Sequence, residues 1–378
     1  MNNKLRYTIW ISIVIAFGFL LSHCKTSENR PVIKVGFSQC TMADEWRKQM
    51  VKEMKREAAL YNDVDIQIIV KDAQNNSLEQ KSDIEELIAQ KTDILIISPN
   101  QSDPLVETIE MVNKLGIPVI VIDRIIETDL PFYTIGGNNY NIGKMAGEQA
   151  QKLLPYGGKI LVLTGLTGST PAQQRHEGFE AGIKSNESLL ISAVIQSDWT
   201  EELAEKQMIE YLNNNTEFDL IFAHNDFMAK GVIKAFKKTN TRLKPIIGID
   251  GLNAPGYGID MVLDSTLRAT ITYPTGGDKA IETAYKIYKK QNISKQQELS
   301  SILINLSNAA SIRLQRNEIE LQQSKIDRQI KVLSDKDHKI DIQKRQLKSV
   351  FILLALSGLL VFIILFFLSK PFIANINK

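Results

Sequence analysis

The sequence predicts an α/β fold: a two-lobed molecule, each lobe a doubly wound parallel sheet, followed by a long helix and a transmembrane helix. Three observations carry this. From Pro31 to about Leu306, short, nearly continuous apolar runs rich in β-branched residues alternate with amphipathic segments of helical period, the pattern of parallel sheets covered on both faces. From Ile312 to Leu347 glycine and proline disappear, and an apolar residue returns at every seventh position. Val350 to Leu368 is apolar and free of charge, and at about 1.5 Å per residue it nearly crosses a hydrocarbon layer of about 30 Å.

At the N-terminus, Lys4 and Arg6 precede an apolar stretch from about Leu5 to Leu21, the arrangement of an export signal or a short membrane anchor over residues 1–24. Cys24 follows Leu21-Ser22-His23. Lipidation of Cys24 after cleavage and an uncleaved anchor helix both stay open, and either tethers the N-terminus.

The strands expected next are Ile33–Phe37, Val64–Val70, Asp93–Ser98, Ile117–Ile122, Lys159–Leu163, Leu189–Ile195, Phe218–Phe222, Pro245–Ile249, Leu267–Thr272 and Ile302–Leu306. Helices expected between them include Asp44–Leu60, Glu79–Ala89, Asp103–Lys114, Asn141–Leu154, Glu201–Leu212 and Asp278–Tyr288. Two smaller sheets suit this length better than one large sheet.

Beyond them, Ile312, Ile319, Ile326, Leu333, Ile340 and Leu347 form one good heptad seam, while the companion positions Arg316, Gln323, Ile330, Asp337 and Lys344 are mostly polar. A weak coiled-coil stalk over 309–348 is expected, pairing two copies and running into a span at 349–369. Residues 370–378 then begin a cytoplasmic region. The charges flanking the two apolar segments conflict over orientation, and the first segment decides because it enters first. Residues 25–349 are accordingly expected in the periplasm, tethered to the inner membrane.

Composition excludes several classes. With 45 basic and 43 acidic residues the net charge is +2, so nothing in this segment suggests a nucleic-acid partner. Cys24 and Cys40 are the only cysteines, too few for a disulfide framework or a multi-cysteine metal site. His23, His176, His224 and His338 are scattered and show no metal-ligand spacing. No catalytic constellation is evident, so the chain as given reads as a non-enzyme without cofactor or metal. The turn from Gly165 to Thr170 lacks the Gly-Lys-Ser/Thr ending of a phosphate loop and reads as a strand-to-helix turn.

In open α/β sheets, ligand groups come from loops at the carboxyl ends of strands. The polar and aromatic residues at those ends are Ser38 and Trp46, Asp123 and Arg124, Arg175, Trp199, Asn225 and Asp226, and Asp250. Carboxylates, an amide and guanidinium groups beside aromatic planes suit a ligand with many hydroxyls and an apolar C–H face. Asp226 is read instead as the N-cap of the helix that follows.

The motifs Ile-Pro-Val-Ile-Val-Ile-Asp-Arg ending at Arg124, Gln-Arg-His-Glu-Gly-Phe from Gln174, Phe-Ala-His-Asn-Asp from Phe222 and Ile-Gly-Ile-Asp-Gly from Ile247 resemble the ribose/galactose-binding periplasmic family. That family shares its fold with lactose-repressor-type sensor domains. The resemblance covers roughly 270 residues. It implies a sugar-binding domain over 31–308, with lobe 1 at about 31–136 and 274–300 and lobe 2 at about 137–273 and 301–308. It implies sugar contacts by Asp123, Arg124, Arg175, Asn225 and Asp250, with further roles for Ser38, Asn139, Trp199 and Tyr273. The first loop departs from the ribose pattern. Its Trp46-Arg47 pair resembles the sensor loop of hybrid two-component sugar receptors, which implies Trp46 and Arg47 in the site and a kinase and response-regulator module as partner, in cis or in trans. The expected function is a membrane-bound monosaccharide sensor for a pentose or hexose. The alternative is the membrane-anchored binding protein of a sugar transporter.

Overall fold

A computed structural model describes residues 30–214 and 217–374, the side chains from 366 onward excepted. The predicted segment 1–24 and Cys24 lie outside the described residues.

The strands are β1 (Val32–Gln39), β2 (Asp65–Asp72), β3 (Ile94–Ser98), β4 (Val119–Ile122), β5 (Tyr133–Gly137), β6 (Gly158–Thr164), β7 (Leu189–Gln196), β8 (Leu220–Ala223), β9 (Ile246–Asp250), β10 (Ala269–Thr272), β11 (Gln296–Leu299) and β12 (Leu303–Asn305). The helices are α1 (Glu45–Ala58), α2 (Ser77–Ala89), α3 (Val106–Lys114), α4 (Asn139–Leu153), α5 (Thr170–Ile183), α6 (Glu201–Asn214), α7 (Asp226–Lys238), α8 (Gly258–Leu263), α9 (Gly277–Tyr288) and α10 (Ala309–Ala374). The chain divides into a compact unit that ends at Leu314 and a second that begins at Gln315.

In the first unit the strands form two six-stranded sheets, ordered β11-β5-β4-β3-β1-β2 and β12-β10-β9-β8-β6-β7. Neighbouring strands run parallel except β12, which is antiparallel to β10. Every residue of the central strands β3, β4, β8 and β10 is buried, whereas the edge strands β2 and β7 are only partly buried. That difference is why the inner strands read as unbroken apolar runs: both of their faces are covered by helices.

The chain passes between the sheets after β5, after β10 and after β11. Between the second and third passages, α9 packs on α1 so closely that a Cβ on Gly277 would meet the Met50 carbonyl oxygen at 2.2 Å. Two strands were not foreseen, and both belong to the first sheet. β5 reads Tyr-Thr-Ile-Gly-Gly and β11 reads Gln-Gln-Glu-Leu. Neither shows an apolar run, and both are held by pairing with a neighbouring strand.

The first turn of α10 belongs to the first unit. Ala309 is fully buried, Ile312 packs against the core beneath the second sheet, and Arg313 Nη1 lies 2.9 Å from Asp260 Oδ1 of α8. In the second unit, Ile319, Ile326, Leu333, Ile340 and Leu347 are exposed, as are most residues of the apolar run from Val350 to Leu365. This helix is long and apolar enough to cross a membrane by length and composition.

Candidate ligand-binding cleft

The carboxyl ends of the two sheets face a common cleft of about 340 Å³, lined from both lobes. Its first wall is organised by Asp44, which caps α1 by accepting the Arg47 amide hydrogen at 2.8 Å. That turn buries the Arg47 guanidinium, which donates to Gln39 Oε1 at 2.9 Å, Ser98 Oγ at 3.1 Å and Asp123 Oδ2 at 3.1 Å. Asp123 occupies the left-handed region at φ 69°, and its carbonyl oxygen accepts the Tyr273 hydroxyl at 3.0 Å. Arg124 Nη1 donates to the carbonyls of Pro99 and Asn100 at 3.3 and 2.5 Å. A guanidinium fixed by backbone oxygens leaves its remaining N–H groups in a set orientation.

The second wall comes from the other lobe. Arg175 on α5 donates to Asn139 Oδ1 at 2.9 Å and to the His224 carbonyl, and its Cζ lies 4.7 Å from the Tyr273 ring and 5.4 Å from the Trp199 ring. Arg124 reaches the same Trp199 ring at 5.8 Å. Trp46 stacks on Tyr273 with centroids 5.5 Å apart, and its Nε1 donates to the Tyr273 carbonyl at 2.9 Å. Both indoles line the cleft and are already engaged by protein groups.

Asp250, at the end of β9 with φ 112°, also lines the cleft. Its carboxylate accepts no hydrogen bond from a protein donor among the described residues. Burial pushes this carboxyl well above the usual range, against the opposing pull of Arg175, and Asp226, Asp44 and Asp123 add repulsion. His224 sits behind the wall with both ring nitrogens unpartnered. Burial, with Arg175 and His176 nearby, holds its imidazole well below the ordinary value, so it is neutral.

Of the residues named from sequence, Trp46, Arg47, Asp123, Arg124, Arg175, Trp199, Asn225, Asp250 and Tyr273 meet at this cleft. Ser38 and Asn139 do not line it. Ser38 is wholly buried within β1 with its hydroxyl unpartnered, because β1 is covered on both faces and its side chain never reaches the loop end. Asn139 stands behind the wall, bridging Arg175 to the Tyr273 hydroxyl, to which its Nδ2 donates at 3.3 Å.

The expected cap is also corrected. Asn225 caps α7 through the Met228 amide at 2.7 Å, while its Nδ2 donates to the Trp199 carbonyl at 3.0 Å. Asp226 lies one residue inside the helix, where it accepts the Thr270 hydroxyl at 2.8 Å and the Leu252 amide at 3.0 Å.

The glycine-rich turn has its reason here. A Cβ on Gly165 would meet the Trp199 ring at 2.0 Å, so only a bare backbone lets the indole lie against it. The same turn holds the lobes together. Gln101 Nε2 donates to the Thr167 carbonyl at 3.1 Å, the Ser102 amide to the Gly168 carbonyl at 3.3 Å, and the Ile125 amide to Thr170 Oγ1 at 2.9 Å.

Sequence reasoning missed several lining groups: Asp198, Glu201, Glu202, Phe227 and Tyr257. Four of them sit in the first turn of a helix or just before it, where a sequence shows a cap or an amphipathic face and nothing of the opposite lobe. Gln39 and Ser98, which hold Arg47, end β1 and β3. Their position at strand ends was the available signal. Among the described residues no group of three or more His, Cys, Asp or Glu side chains has the arrangement to hold a metal ion.

A family model described as periplasmic binding protein domain matches residues 35–292. The ribose import binding protein RbsB of Escherichia coli is 31% identical over 60% of this chain and 76% of its own length. The Bacillus subtilis RbsB is 27% identical over 75% of this chain and 95% of its own length. Among solved structures, the fructose-binding periplasmic domain of a hybrid two-component system is similar with a TM-score of 0.75 and 35% identity, covering 79% of this chain and 99% of that one.

Proposed function

Because the chain belongs to the periplasmic binding protein domain family, we propose that its cleft binds a monosaccharide and that the chain is the extracytoplasmic sensor of a membrane-bound signalling receptor. The observation that carries the binding reading is the convergence of charged side chains from two lobes, buried Arg47, Asp123 and Arg124 on one and buried Arg175 with half-buried Asp250 on the other, the Asp250 carboxylate accepting from no protein donor among the described residues. Sugar hydroxyls are the donors such a carboxylate lacks, and the orienting guanidiniums supply the complementary contacts. The fructose-binding relative supports a monosaccharide of that size, and makes fructose the first candidate.

Ligand held between the lobes favours their closed arrangement by its differential affinity for that state. The sensor reading is supported by the helix that leaves the binding unit at Ala309, by its exposed seam of apolar residues, and by the apolar run after Val350. In this reading the seam pairs two copies over 309–348, the run at 349–369 spans the inner membrane, and a kinase and response-regulator module, in cis or in trans, receives the signal.

Calorimetry of the full chain in detergent against fructose, ribose, galactose, xylose and myo-inositol tests the binding. Saturable binding of at least one is expected. Asp250→Ala and Arg124→Ala should each weaken it by about a hundredfold, since a charged hydrogen bond contributes about 1.5–3 kcal/mol. Absence of binding to the whole panel would sink the reading.

A second reading, the substrate-binding protein of a sugar transporter, is favoured by the ribose import relatives. Gene deletion separates the two. Loss of uptake with intact sugar-induced transcription supports delivery, and the converse supports sensing.

A further inference from the structure

Burial divides the cleft into two parts. Its floor is made of side chains at least nine-tenths buried, among them Arg47, Asp123, Arg124, Arg175 and Tyr273. Trp199 and Asp250 at its edge are half-buried, and beyond them the lining is half-buried Glu201, Phe227 and Tyr257 and exposed Glu202. At about 10–15 Å³ of such space per water-sized group, a hexose with its hydroxyls uses about 150 Å³. That is less than half of the cleft's 340 Å³.

The outer part is built rather than loose. Phe227 rests against Tyr257 with centroids 4.9 Å apart at 57°. The Tyr257 hydroxyl donates to Glu201 Oε2 at 2.9 Å, and Lys234 pairs with the other oxygen of the same carboxylate. Lys230 Nζ covers the Tyr257 ring at 3.5 Å. Phe227 is thereby fixed at the cleft by a ring that is itself pinned on two sides. An immobilised aromatic beside carboxylates offers a plane for C–H groups and acceptors for hydroxyls. The loops that join the lobes follow β3, β4 and β6, whereas these residues follow β7, β8 and β9. Closure at the first set does not consume the second.

From this we infer that the cleft carries an outer subsite, formed by Phe227, Tyr257, Glu201 and Glu202, that takes a second glycosyl unit linked to the sugar in the inner site. The inference rests on the monosaccharide reading of that inner site and extends its ligands to disaccharides. An anionic second unit, such as a uronic acid or a sugar phosphate, is disfavoured by the two carboxylates.

The test is calorimetry of the full chain with two pairs of probes, fructose with inulobiose and galactose with β-1,4-galactobiose. In at least one pair the disaccharide should bind as tightly as the monosaccharide or up to tenfold tighter. In Phe227→Ala the ratio of disaccharide to monosaccharide affinity should fall at least fivefold, and Phe227→Tyr should restore it. Glu202→Ala, on an exposed side chain, should lower the same ratio severalfold and covers the case in which Phe227→Ala does not fold. Monosaccharide binding with disaccharides a hundredfold weaker, or ratios untouched by both variants, overturns the subsite and leaves the inner site standing. Failure of all four sugars to bind overturns the subsite, and the inner site falls with it only when ribose, xylose and myo-inositol also fail to bind.

Discussion

At the scale of single residues, the cleft combines groups that strand ends reveal with groups that only three dimensions bring in. Asp123, Arg124 and Asp250 were legible because each follows an apolar run read as a strand, and Arg175 because its motif resembles the family's. Ser38 was misplaced because the strand expected to end at Phe37 runs on to Gln39, which keeps the side chain between two covering layers. Asp250 carries a pH prediction. Its folded-state carboxyl is raised by burial, so its stability contribution is fully present below the ordinary carboxylate range and is lost as pH rises through the raised value. Asp250→Asn should therefore melt at a higher temperature than the parent chain at pH 8, with the gap narrowing toward pH 5, both without sugar. A gap that widens toward pH 5 would contradict this assignment. Gly165→Ala drives a Cβ into the Trp199 ring, and overpacking of this kind costs about 1–3 kcal/mol. It should lower both the melting temperature and the sugar affinity, read by calorimetry.

At the scale of elements, the alternation of buried strands and amphipathic helices carried ten of the twelve strands among the described residues. β5 and β11 escaped because their order is imposed by pairing: two glycines in one and three polar residues in the other give no local preference. The connections between lobes were equally illegible, since Gln101 and Thr167 are distant in sequence and lie on different lobes. Gln101 does not line the cleft, yet its side-chain bond to the Thr167 carbonyl crosses from one lobe to the other. Gln101→Ala should weaken sugar binding roughly fivefold, the value of about 1 kcal/mol for one neutral hydrogen bond. Small-angle scattering of the sugar-free chain should show a larger radius for the variant; an unchanged affinity and radius would remove the latch from the account.

At the scale of the whole molecule, the two-lobed fold followed from the repetition of one strand-helix unit, and the long helix from the loss of glycine and proline. Pairing through the seam from Ile319 to Leu347 is a proposal with a direct reading. Single cysteines placed on that seam, in a chain lacking Cys24 and Cys40, should crosslink between copies at seven-residue intervals, and sugar should change the pattern. Crosslinking without periodicity would remove the paired stalk.

The three passages of the chain between the sheets also impose a timetable on synthesis. Strands β6 to β10 follow one another without interruption, so the parallel part of the second sheet has all its strands once residue 272 has emerged. The first sheet begins earlier but finishes later, because α9 and β11 come only after the second sheet's parallel strands. A nascent chain thus carries its first lobe without α9 and β11 while the second matures. The first sheet gains its last strand only when residue 299 has emerged.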